Sequence, residues 1–122
     1  MKKIYIDTNV YLDYLLERKN KLGKDLSRPA FNVFKRAVSC EFYIIFSNHL
    51  LNELHGNIKE DDTRMLLNFL KNKLISVEDE HEHKGDEKHA VLAINAGAEL
   101  IVTRNKNHFI QFSIKAVLPE EL

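Results

Sequence analysis

Apolar and polar positions along this chain follow two periods, and the period switches repeatedly between strand-like runs and helix-like stripes. Lys3 to Ile6 is a short β-favouring run, followed at once by Asp7, Thr8 and Asn9, residue types that cap helices. Val10, Leu12, Tyr14, Leu15 and Leu16 then form a broad apolar face. It fades into the polar run Glu17 to Lys24, where Gly23 predicts a stop. Beyond Pro29, which suits a first helical turn, Phe31, Val33, Phe34, Ala37 and Val38 recur at helical spacing. Phe42 to Phe46 is uninterrupted and apolar, the pattern of a central parallel strand covered on both faces. Ser47 or Asn48 then caps a helix with Leu50, Leu51 and Leu54 inward and Gly56 at its end. A further helix over Thr63 to Asn72 carries Met65, Leu66, Phe69 and Leu70, and a short strand follows at Leu74 to Val77.

Glu78 to Gly85 reads as a loop of mixed charge, too short for a linker between domains. Asp86 is placed to cap a helix with Ala90, Val91, Ala93, Ile94 and Ala96 inward and Gly97 at its end. Glu99 to Thr103 is the next strand, and Ile114 to Leu118 forms a last one before Pro119. Strands alternating with helices predict a mainly parallel sheet with helices on both faces, within a single domain over residues 1–122. A chain of 122 residues can bury a core without disulfide or metal staples. Its 44% hydrophobic and 30% charged content excludes disordered and membrane-spanning classes. The longest apolar runs are too short to cross a bilayer, and Met1-Lys2-Lys3 leads straight into a strand, so a cytoplasmic location is expected. Basic and acidic residues balance at 18 each, so no global positive field announces a nucleic-acid partner. A local acidic pocket ringed by Lys and Arg would sum to the same zero. Cys40 has no internal disulfide partner and is expected to pack as a small hydrophobe at the end of its helix.

In open parallel sheets the ligand crevice lies beyond the carboxyl ends of the strands, which directs attention to polar residues just after each strand. Asp7 follows the first strand, Ser47 and Asn48 follow Phe42 to Phe46, and Asn105 follows the strand ending at Thr103. Glu53 and Asp86 sit on the helices after the second strand and before the Asn105 strand, so all of these can converge on one edge. Clustered carboxylates repel unless a cation neutralises them, and oxygen ligands call for a hard ion, Mg²⁺ or Mn²⁺. Phosphodiester cleavage is the reaction such a site serves best, because metal can activate water and stabilise both the attacking and the leaving oxygen.

Ile4-Tyr5-Ile6-Asp7-Thr8-Asn9-Val10 resembles the opening of PIN-domain proteins, including the VapC-type toxins, and Leu50-Leu51-Asn52-Glu53-Leu54 resembles their second acidic position. Asp86 through Ala90, Ala93 and Ala96-Gly97-Ala98 to Val102-Thr103-Arg104-Asn105, then Phe109, is similar to the closing motif of that family, and Ala116 to Glu121 to its last strand and tail. Asn105 departs from the pattern, since many members carry an Asp there; an amide can ligate through its carbonyl but adds no charge. The resemblance implies a PIN-like three-layer α/β/α fold around a mainly parallel four- to five-stranded sheet. It also implies an Mg- or Mn-dependent endoribonuclease that leaves a 5′ phosphate and a 3′ hydroxyl, the toxin of a toxin–antitoxin pair. On that reading Asp7 and Asp86 bind the principal metal and Asn105 assists. Glu53 reaches a second metal or orients water, and Thr8, Asn9, Ser47 or Thr103 hydrogen-bond the acids or the phosphate. RNA is the substrate, a cognate antitoxin the partner, and a homodimer the expected assembly.

Plainer readings stand beside these. Asp7 and Asp86 alone are ordinary helix caps, Glu53 an ordinary solvated helix residue, and Glu87 competes with Asp86 if the register slips. Arg104, Lys106 and His108 flank the last motif as phosphate contacts or as solvated charges. His81, His83 and His89 suggest zinc, but in a charged stretch without cysteine they read better as surface residues. Asp13 and His55 are likewise assigned to the surface, and Tyr11, Phe31, Phe34 and Phe69 to the core. Two other functions compete with the nuclease: a catalytically weak PIN domain that binds RNA or protein, and an aspartyl phosphotransferase using Asp7. The second wants an Asp where Asn9 stands, and a lysine on a later strand.

Overall fold

Three consecutive apolar residues, Ile4, Tyr5 and Ile6, are fully buried, as a strand flanked by layers on both faces must be. The computed structural model describes residues 2–78 and 85–122. β1 (Lys3–Ile6) pairs in parallel with β2 (Tyr43–Ser47) on one side and β4 (Leu100–Val102) on the other. β3 (Leu74–Val77) extends the sheet beyond β2, and β5 (Lys115–Val117) beyond β4. The order β3-β2-β1-β4-β5 is parallel throughout, the upper end of the four to five strands expected.

Between strands lie α1 (Thr8–Leu15), α2 (Ser27–Val38), α3 (Asn48–His55), α4 (Glu60–Leu70) and α5 (Gly85–Asn95). The first four helices contact one another, while α5 packs on β4 and the 3₁₀ turn Lys106–Phe109, which gives the three-layer arrangement of a PIN-like fold. The chain steps from β1 outward to β2 and β3, then crosses back to β4 on the far side of β1. That reversal opens a crevice at the carboxyl ends of β1, β2 and β4.

Several expectations need correction. α4 begins at Glu60, not Thr63, because Glu60, Asp61 and Asp62 put negative charge where the helix dipole is positive. Within it Leu66 and Leu70 take the core face, while Met65 stands exposed at 71% and Phe69, expected in the core, at 51%. The inward stripe of α5 runs through His89, Ala90, Leu92 and Ala93, leaving Ile94 exposed. Asp86 lies within the first turn of α5, not at its cap. Cys40 is exposed just past α2 in a left-handed conformation, with its sulfur 3.2 Å from Lys73 Nζ, and does not pack as a hydrophobe. Gly97 ends α5 with a positive φ of 78°, as its position after the stripe predicts.

Candidate functional site

Asp7 is the N-cap residue of α1, yet its carboxylate makes no capping bond. It turns into the crevice, where Oδ2 accepts from Thr103 Oγ1 at 2.8 Å and from Asn9 Nδ2 at 3.2 Å. Asn9 is itself pinned, because its Oδ1 accepts from the Arg104 backbone N–H at 3.2 Å. Thr103 also accepts from the Asn105 backbone N–H at 3.0 Å, so one hydroxyl sets both Asp7 and the loop that carries Asn105.

Glu53 arrives from α3, whose start is fixed by Ser47 Oγ accepting from the Leu50 N–H at 3.1 Å. Its Oε1 accepts from the Thr8 hydroxyl and lies 2.7 Å from His89 Nε2. The other nitrogen of that imidazole, Nδ1, is 2.6 Å from the Tyr5 hydroxyl, which is 2.9 Å from Ser47 Oγ. His89 is therefore a buried member of the site, 1% exposed, and its assignment to the surface is overturned. Its partner in that reading, the pair His81 and His83, lies outside the described residues.

Asp7, Glu53, Asp86 and Asn105 all line one cleft of about 460 Å³, with Thr8, Asn9 and His89 between them. Asp86 is held from outside by His108, whose Nδ1 is 2.6 Å from Oδ2, and its alternative, Glu87, is exposed and does not line the cleft. Ser47 does not line it either; it acts from behind, through Tyr5 and the α3 cap. Burial raises the Asp7 pKa above its ordinary value, and the charge of Asp86 adds to that, against the lowering influence of His89 and Thr103. Burial also acts to raise Glu53. There, however, the bonds from His89 and Thr8 and the charges of His89 and His49 prevail and hold it at about 2.

Arg104 does not reach the cleft. Its guanidinium is committed to Asp13 at 2.9 Å and to Glu120, with a bond to the Leu26 carbonyl. Asp13, expected at the surface, is 3% exposed and receives Arg18 Nε at 3.2 Å as a second cation. Arg18 also donates to the Asn9 carbonyl at 3.3 Å and is the cationic side chain that lines the cleft among the described residues, together with the imidazole of His89. Lys106 is paired with Glu121 at 2.9 Å. No described lysine lines the cleft and Asn9 donates to Asp7, so an aspartyl phosphotransferase lacks both of its expected companions.

Tyr5, Arg18, Asn52 and His49 escaped the sequence reading. His49 and Glu53 are four residues apart on α3, a spacing that places them on one face and was available as a signal. For Arg18 the chain offers no local signal, because its position is decided by Asp13 across the turn after α1.

A parallel sheet that gathers carboxylates beyond its strand ends, at the point where strand order reverses, defines an α/β protein with an acidic ligand cleft. Within that class the chain belongs to the PIN domain family, whose profile matches residues 3–107. PIN domains are as a class nucleases that work with divalent metal ions. No curated protein matches the chain.

Proposed function

We propose that this cleft hydrolyses RNA phosphodiester bonds, with Asp7, Asp86 and Glu53 as the acids that hold Mg²⁺ or Mn²⁺ and Asn105 adding an uncharged oxygen. The observation that carries the reading is the meeting of three carboxylates and an amide in one cleft, each acid held by named donors. The donor set suits a hard cation: burial and then the charge of Asp86 push Asp7 toward its protonated form, and a dication reverses that preference. When bound, such an ion lowers the pKa of water and stabilises the attacking and leaving oxygens.

The chain supplies orientation. Thr103 and Asn9 fix Asp7, Thr8 and His89 fix Glu53, and His108 fixes Asp86. Arg18, with its side chain 40% exposed at the cleft, takes the role of phosphate contact in place of Arg104. With water as the attacking group and the 3′ oxygen as the leaving group, as the resemblance implies, the products carry a 5′ phosphate and a 3′ hydroxyl.

Incubation of unstructured RNA with Mn²⁺ or Mg²⁺ is expected to yield cleavage that chelator and Asp7→Asn both abolish. Intact RNA across several such substrates would sink the reading in favour of a module that binds without cutting. That alternative draws on Asn105, which adds no charge to the acid set.

The finer role proposed is that of a cytoplasmic VapC-type toxin, resting on the motifs quoted above. A short neighbouring reading frame whose product blocks cleavage is the expected companion. The proposed homodimer draws support from an apolar groove of about 490 Å³ among α1, α2 and α4, bordered by the exposed Met65 and Phe69. Sedimentation at micromolar concentration tests it, and a monomer there removes that part.

A further inference from the structure

We propose that His49, Glu53 and His89 form a second cation subsite at the wall of the cleft, which Glu53 and His89 line, and that it takes a borderline transition-metal ion such as Zn²⁺ and not Mg²⁺. His49 and Glu53 project from the same face of α3, and His89 meets them from α5. One ligand atom from each lies within 4.8 Å of the other two.

The separations suit tetrahedral coordination. Ligand atoms around zinc, at bonds of about 2.0 Å, stand about 3.3 Å apart. Here His89 Nε2 is 2.7 Å and His49 Nε2 is 3.8 Å from Glu53 Oε1, one pair slightly inside that value and one slightly outside. The two imidazoles tilt at 48° with centroids 4.6 Å apart, converging on the carboxylate without stacking flat. Small rotations of Glu53 and His49 equalise the distances. His89 needs to move least, because its side chain is only 2% exposed.

The surroundings are those of a built ligand. Metal-binding histidines hand their second ring nitrogen to a polar partner that fixes ring orientation. His89 Nδ1 has the Tyr5 hydroxyl at 2.6 Å, that hydroxyl lies 2.9 Å from Ser47 Oγ, and Nε2 is turned to Glu53. The Thr8 hydroxyl steadies Glu53. Two imidazoles and one carboxylate are a donor set of zinc sites that keep an open position. Imidazole nitrogen favours Zn²⁺, Co²⁺ or Ni²⁺, whereas Mg²⁺ prefers the oxygens of Asp7 and Asp86. The subsite shares Glu53 with the acidic set but stands on side-chain geometry alone, and its test uses no RNA.

Untagged, metal-free protein is titrated with Co²⁺, whose visible bands are intense in four-coordinate and weak in six-coordinate sites. One equivalent is expected to give intense bands that Zn²⁺ then bleaches. Asp86→Asn should retain them, and His49→Gln should weaken binding about tenfold or more. His89→Gln should do the same, with circular dichroism checking the fold. If that variant does not fold, His49→Gln, at a partly exposed position, decides the matter. Weak bands only, bands that survive His49→Gln, or bands lost in Asp86→Asn would each overturn the proposal.

Discussion

Asp7 and Glu53 face one cleft with the same functional group, and their proton affinities are displaced in opposite directions. Asp7 ends a central strand and is 4% exposed; its hydrogen-bond donors there, the Thr103 hydroxyl and the Asn9 amide, are neutral. Burial wins and the pKa rises. Glu53 reaches in from a helix, remains partly open, and meets imidazole; burial is outweighed and the pKa falls to about 2. His89 stands near both acids, its Nε2 3.6 Å from Asp7 Oδ1 and 2.7 Å from Glu53 Oε1, so the closer contact at Glu53 and the deeper burial of Asp7 set the two apart. The consequences for stability have opposite signs. Asp7 prefers its proton in the folded state, so its contribution to stability declines as pH rises from 3.8 through its raised folded value. The contribution of Glu53 is fully present above 4.5 and is lost as pH falls from there to about 2.

The largest expected effect comes from Asp7→Asn, which removes the buried charge and keeps the shape. RNA cleavage should fall by at least about 100-fold, the loss of several kcal/mol of transition-state stabilisation. Metal-free stability at neutral pH should rise, as read by urea melts; a drop in both would mean that Asp7 is an ordinary structural residue. Next, Thr103→Val strips the hydroxyl from Asp7 and from the Asn105 N–H, which should weaken Mn²⁺ binding about 10- to 100-fold by calorimetry. His89→Gln removes imidazole from the other carboxylate. The side-chain carbon shift of Glu53, followed by NMR, should then titrate closer to 4.5 than to 2, with about 1–3 kcal/mol of stability lost. An unchanged titration would break the contrast between the two acids. His49→Gln should have the smallest effect on metal-free stability, under about 0.5 kcal/mol, because its nitrogen lies 3.8 Å from Glu53.

The parts of this molecule that depend on local pattern were readable in advance. β1 and β3 match their expected bounds residue for residue, each a short β-favouring stretch bounded by charged residues, Lys2 and Asp7 for one and Lys73 and Glu78 for the other. The gathering of positions 7, 53, 86 and 105 follows from strand ends in a parallel sheet, a rule that needs no side-chain detail. What failed depended on long-range choices. A histidine directly after the charged run Asp86-Glu87-Lys88 reads as surface, yet His89 precedes Leu92 by three positions and Ala93 by four, which places it on the buried stripe of α5. Arg104 stands beside the last motif, but where a guanidinium points is decided by the carboxylates it meets, Asp13 from α1 and Glu120 from the chain's end.

The segment bearing Asn105 is anchored on both flanks by residues far from the chemistry. Arg104 is gripped by Asp13 and Glu120, and Lys106 by Glu121 at 2.9 Å. The rim is thus tied to acids of the closing turn that do not line the cleft, so shortening or neutralising that turn is expected to loosen the rim while leaving every residue of the acidic centre intact.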